Sequence, residues 1–181
     1  MRSNAFGLGG AGGVQTGLGY LIDIPDEKID LGFQMIQMRA KLFTKFQSAM
    51  IPTSAYQNLG TTVNKFTSET DGKKNSFFLP NAAQWGVLTQ EEFNNFETTL
   101  NSVKNDYIGF YKDFNIEQIG SMKTFTGPDN QVMDFEHYKI TFTSSAKETR
   151  QIGVHLYTIK IGDDRYLGIK VPVIISKKHK Q

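Results

Sequence analysis

Cysteine is absent from the 181 residues, which excludes a disulfide framework, a thiolate nucleophile and every cysteine-bearing zinc or iron–sulfur site. Histidine is scarce as well: His137, His155 and His179 are the full set, and no two stand at the helical spacing of a metal pair. Excess charge of either sign is missing. The 20 Lys and Arg against 18 Asp and Glu leave a formal +2, so no global field recommends nucleic acid or an anionic membrane as partner. No run approaches the ~18 apolar residues that cross a bilayer, so the chain is not expected to be transmembrane; peripheral membrane association stays open. Near the N-terminus there is no compact apolar segment of signal-peptide type, and Arg2 is the only basic residue before Lys28. Localisation is therefore undetermined, with an organelle-associated complex among the options.

What is present is architecture. Residues 1–22 form a Gly-rich arm, with seven glycines interleaved with Phe6, Leu8, Val14, Leu18, Tyr20, Leu21 and Ile22. A flexible linker would carry Ser and charge instead, whereas glycine beside large apolar groups suits a backbone lying close against another surface. Residues 23–176 are expected to form a single domain, and Lys177, Lys178, His179 and Lys180 a solvated basic tail at 177–181.

From Pro25 to about Ser48 the spacing predicts a helix with Asp26 and Glu27 in its first turn, where the helix dipole favours acids. Two apolar stripes run along it: Ile29, Phe33, Ile36, Ala40 and Phe43, and beside them Leu31, Met35, Met38, Leu42 and Phe46. The polar arc spans only roughly a third of the circumference at 100° per residue, so this helix asks for cover from two sides. Arg39 falls inside the apolar arc, where it either snorkels or pairs with a carboxylate. Pro52 to Leu59 suits a short helix, Thr61 to Phe66 a strand, Asp71 and Gly72 a turn, and Ser76 to Leu79 a return strand.

The clearest signal runs from Thr89 to Tyr111. Phe93, Phe96, Leu100, Val103, Tyr107 and Phe110 recur at spacings of three and four, one face of one long helix. Thr89 with Glu92 makes a capping box, and Leu88 with Phe93 fits a hydrophobic staple. Beyond it the period changes to two. Asn115 to Phe125 suits a strand, Gly127 to Asn130 a turn, and Val132 to Thr143 a strand. In that strand Tyr138, Ile140 and Phe142 sit on one face and Met133 and Phe135 on the other, which a bulge near Glu136 would reconcile. Ile152 to Ile161 and Tyr166 to Ile175 follow as strands across Gly162 and Asp163. The expected fold is α+β, with N-terminal helices and one long helix packed on one face of a curved antiparallel sheet of about four strands.

The stretch from Leu88 to Ile175, comprising the capped run LTQEEFNNF, the turn TGPDNQ, the strand FEHYKITF, then VHLYTIKI and a closing strand after GDDRY, resembles the nuclear transport factor 2-like (cystatin-like cone) superfamily. A hairpin between residues 61 and 79 ahead of the long helix looks more like a PsbP-like α/β/α sandwich, the alternative. Either resemblance implies a scaffold hosting many unrelated functions.

No constellation announces a reaction. Gly7, Gly9 and Gly12 match G-x-G-x-x-G, but only six residues precede them, too few for the strand that a dinucleotide fingerprint needs. His137 and His155 lie on strands expected to be neighbours, with Asp134 nearby, and the resemblance implies that such groups could line a cone-shaped pocket and transfer protons. Cross-strand polar pairs on a solvated face are the preferred account of them. No catalytic residue, cofactor site or metal site is assigned, and nucleic acid is not expected as a partner. The leading expectation is a non-enzymatic accessory subunit that docks on a protein partner through Phe6, Leu8, Leu18, Tyr20, Leu31, Met35, Met38 and Leu42. The alternative is a small-ligand-binding or isomerase-like cone domain with Asp134, His137 and His155 in its cavity.

Overall fold

The computed structural model describes residues 26–70, 73–80, 83–106, 113–143, 151–171 and 174–175; of residues 26–34, 68–70, 73–76 and 174–175 it describes the backbone. The helices α1 (Asp26–Lys45) and α2 (Thr53–Val63) come first. The strands β1 (Thr67–Thr70), β2 (Lys73–Ser76) and β3 (Gln84–Val87) follow, then the helices α3 (Gln90–Asn94) and α4 (Phe96–Asp106). Six strands complete the described chain: β4 (Asp113–Gln118), β5 (Lys123–Thr126), β6 (Val132–Thr143), β7 (Gln151–Ile161), β8 (Asp164–Lys170) and β9 (Ile174–Ile175). The fold is α+β, and among the described residues all nine strands join one antiparallel sheet: seven in the order β2-β1-β5-β6-β7-β8-β3, with β4 also paired to β6 and β9 to β7. The sheet is thus wider than the four strands the alternation suggests, because β1, β2 and β3 are short and carry little periodicity.

β6 and β7 form the spine, paired without interruption from Met133 opposite Ile161 to Thr143 opposite Gln151. The expected bulge near Glu136 is therefore not in β6. It lies on the partner strand, where four residues, 119–122, separate β4 from β5 while two on β6 span the same gap. Gly120 there takes a φ of +73°, a conformation that glycine adopts without a Cβ penalty. The opposed apolar sets of β6 need no reconciling because both faces of the sheet are covered.

On one face Ile140, Phe142, Ile152, Val154, Leu156, Leu167 and Ile169 pack with Met38, Leu42 and Phe43 of α1, with Phe46 just after it, and with Phe96, Leu100 and Val103 of α4. On the other, Met133, Tyr157, Ile159 and Ile161 pack with Leu59 and Val63 of α2 and with Phe66, Phe77, Trp85 and Phe125. Met38, Leu42 and Phe46 lose all their exposure, and a fully buried side chain of this size is worth about 1.5–3 kcal/mol. Lys45 Nζ, 3.0 Å from Asp106 Oδ2 and donating to Ser102 Oγ at 3.1 Å, fastens α1 to α4.

The expected long helix is two. The capping box is formed, with Thr89 Oγ1 accepting from the Glu92 amide at 3.0 Å and Glu92 Oε1 accepting from the Thr89 amide at 2.8 Å. Asn95, at φ −105° and ψ 22°, then ends α3 and a new helix starts at Phe96. The break lets both aromatics be used: Phe93 lies beneath the Arg165 guanidinium at 4.9 Å, and Phe96 stacks on Phe46 at 5.1 Å. Tyr107 and Phe110 lie outside the described residues. Farther upstream, α2 continues through Gly60 to Val63, so the segment expected as a strand is helical to that point and β1 starts only at Thr67. Burial decides this, since Leu59 and Val63, four residues apart, both reach the second core.

Candidate functional site

Among the described residues the apolar cluster on the second face of the sheet gathers toward one end, and farther along the same face polar side chains stand in register. Lys139 stands opposite His155, and His155 opposite Lys170. The neighbouring row runs His137, Tyr157, Gly168 and Trp85. His137 and His155 are therefore diagonal neighbours on one face, a relation that brings long side chains together. They meet: His137 Nε2 lies 2.8 Å from His155 Nδ1, with ring centroids 5.0 Å apart. Tyr157 flanks both rings, at 4.7 Å from His137 and 6.3 Å from His155.

Both imidazoles are half-buried and both are pushed below the usual histidine pKa. For His137 the causes are burial, then the neighbouring His155, Lys123 and Lys139; for His155 they are burial, then Lys139 and Lys170. A proton shared between two facing ring nitrogens leaves the pair neutral, one ring donating and the other accepting. The backbone supports the arrangement, because the Ile119 amide of the bulge donates to the His137 carbonyl at 2.8 Å.

Asp134 does not join them. It is three residues from His137 on an uninterrupted strand, so it projects from the opposite face, where Thr124 Oγ1 donates to its Oδ1 at 2.9 Å. The expected Asp134, His137 and His155 pocket is thus corrected to a His137–His155 pair without the carboxylate. Glu136 shares the face of Asp134, accepts from Gln118 and Thr158, and together with burial lifts the Tyr138 hydroxyl to about 12. Among the described residues no three His, Asp or Glu side chains are grouped to hold a metal ion.

A cavity of about 190 Å³ opens elsewhere, between the start of α2 and β3, lined among others by Met50, Ile51, Tyr56, Gln84 and Trp85. Trp85 Nε1 and Gln84 Oε1 are buried and have no hydrogen-bond partner. Neither histidine lines this space.

Of the side chains expected to dock a partner, Phe6, Leu8, Leu18 and Tyr20 lie outside the described residues, and of Leu31 only the backbone is described. Met38 and Leu42 are fully buried against the sheet, and Met35 packs half-buried on the same cluster. These three are core residues of the chain itself, which corrects their assignment to a docking surface. Of the other stripe Phe43 is buried in the same core, while Ile36, 42% exposed, and Ala40 face outward. Arg39 lies between them and the core, its pKa lowered by burial, with no ion pair to a described residue.

Other exposed apolar side chains escaped the periodicity. Met50 bridges to Gly86, beside Val87, so two exposed side chains adjoin at the rim of β3. Ile119 and Met122 are exposed on the bulge. Phe78 is 72% exposed while Phe77 is buried; successive residues in extended chain point to opposite sides, which is the signal that could have found it. No family model matches this chain, and no curated protein or solved structure matches it with significance.

Proposed function

We propose that this chain is a non-enzymatic accessory subunit of a larger protein assembly, docking through the outward stripe of α1 together with the N-terminal arm. The observation that carries this reading is Ile36. The sheet-facing side of α1 is already filled by Met38, Leu42 and Phe43, so the exposed Ile36 and Ala40 beside them are surplus to the chain's own core. Arg39, half-buried beside it without a described carboxylate, would gain an ion pair from an acidic residue on such a partner. Deleting residues 1–20, or placing Glu at Ile36, should abolish co-purification of the partner while leaving the thermal transition of the domain within a few degrees of the parent. Undiminished partner recovery by both variants would contradict the reading.

A second reading, a small-ligand-binding domain related in architecture to the nuclear transport factor 2-like cone, is favoured by one observation, the hydrogen-bonded histidine pair on the half-open face. The interruption between β4 and β5 is the kind of bulge that bends a sheet toward such a cone. An experimental structure with the pair facing an enclosed cavity would support this reading, and one with the pair facing bulk solvent would remove the cone.

A further inference from the structure

The row that crosses the open face deserves a chemical explanation. Lys139, His155 and Lys170 stand directly opposite one another on β6, β7 and β8, at the roughly 4.8 Å spacing of adjacent strands. Lys123 shares this face from β5, where it stands opposite Phe135, four residues along β6 from Lys139. The only acid in the row is Glu117, opposite Lys139 on β4, and none of Lys123, Lys139 and Lys170 forms an ion pair with a described carboxylate. The other titratable groups that strand parity puts on this face are Asp113 of β4, Tyr157 of β7, and Asp164 and Tyr166 of β8; burial raises the pKa of both tyrosines, with Asp164 adding to that of Tyr166. Asp134, Glu136 and Lys160 project from the opposite face.

The histidine pair decides what this charge would hold. With Nε2 of His137 and Nδ1 of His155 engaged with each other, Nδ1 of His137 and Nε2 of His155 are left to face outward. A neutral pair carries two ring protons. One occupies the shared bond, so one outward nitrogen is an N–H donor and the other a lone pair. A lone pair repels an oxyanion. One further proton, taken from solvent, turns both outward nitrogens into donors while the inner N–H···N bond is kept.

We propose that this face binds a small tetrahedral oxyanion, phosphate or the phosphate group of a small monoester, between the His137–His155 pair and the lysines at 139 and 170, and that binding takes up one proton. No bond is made or broken. The lysines supply charge, and the pair supplies two directed donors only once the anion has drawn a proton onto it. This site is independent of the assembly reading, because it lies on the face of the sheet away from α1.

Sulfate is the probe, since it stays a dianion across the histidine range and any pH dependence then belongs to the protein. Histidine ring resonances of the full chain are followed by NMR while sulfate replaces chloride at constant ionic strength, at about pH 5.5 and about pH 8, either side of the ordinary histidine pKa. The expected result is a shift of both rings, with affinity roughly tenfold or more tighter at the lower pH. Inorganic phosphate should compete at the lower pH. A Lys139→Gln, Lys170→Gln double variant should weaken sulfate at both pH values, and His155→Gln should leave the lysine-driven binding but flatten its pH dependence; the parent's circular dichroism spectrum in each variant confirms the fold. Unmoved rings, equal affinity at both pH values, or full binding by the double lysine variant would overturn the proposal. So would binding of a polyglutamate peptide or a single-stranded oligonucleotide in the absence of any sulfate response, which would assign the face to a macromolecule.

Discussion

Gly168 has no room for a side chain: a Cβ there would sit 2.7 Å from Cη2 and Cζ3 of Trp85, whose ring lies flat over the backbone of β8. The contact lets Trp85 approach Tyr157, with centroids 6.3 Å apart, and closes the second core beside the histidine row. Gly168→Ala should therefore cost about 1–3 kcal/mol, the usual penalty for overpacking, read from urea unfolding; an unchanged midpoint would mean that the ring moves aside freely. The histidines make a prediction of their own. Burial and nearby lysines hold both pKa values below the unfolded value, so their share of stability is complete above the ordinary histidine pKa and is lost as pH falls through the folded one. Unfolding midpoints taken without added oxyanions should drop between about pH 7.5 and about pH 5, and drop less in a His137→Gln, His155→Gln variant. Identical pH slopes would show that the pair is not strained by its surroundings. That His137 and His155 would be neighbours was legible in two adjacent strands with histidine on each. That Asp134 would be excluded was legible too, by parity, once β6 was known to run without a bulge.

At the scale of elements, helix starts are set locally and helix ends are not. The Thr89 and Glu92 box is complete within four residues, so sequence alone locates it, and Thr89→Ala should cost about 1 kcal/mol in thermal or urea unfolding. Asn95 breaks the same helix for a reason that lies elsewhere in the chain: Phe93 is held under Arg165 of β8, and Phe96 under Phe46 in the turn after α1. Arg165 is itself 5% exposed, donating to the Gly162 carbonyl at 2.8 Å and to Gln90 Oε1 at 3.0 Å, so the tip of the last hairpin is tied to α3 by a residue that carries no periodic signal. α1 separates its two stripes in a way that composition could not rank. Leu42→Ala should cost about 2–5 kcal/mol, as for any fully buried leucine, while Ile36→Ala should change stability by no more than about 0.5 kcal/mol. Parallel urea titrations of the two variants check this, and equal losses would mean that Ile36 is covered in solution.

For the molecule as a whole, what the alternation of β6 recorded was two cores sharing one sheet. Met133 and Phe135 face one, Tyr138, Ile140 and Phe142 the other. Long strands and their order along the chain were readable because each carries its own period. The three short strands were not: Thr67–Thr70 and Lys73–Ser76 are polar, and Gln84–Val87 is too brief to alternate. Function was less readable still, because the outward stripe of α1 and the lysine row acquire meaning only after the core has claimed its residues. Among the described residues no helix is long and apolar enough to span a membrane. The direct measurement is the size of the native particle that contains this chain, taken by sedimentation of gently lysed source material for the parent and for Ile36→Glu. The account predicts a parent particle well above the 20.4 kDa of the chain and a variant that is folded but sediments alone. A parent that sediments as a lone 20.4 kDa monomer, or a variant that stays in the large particle, would contradict it.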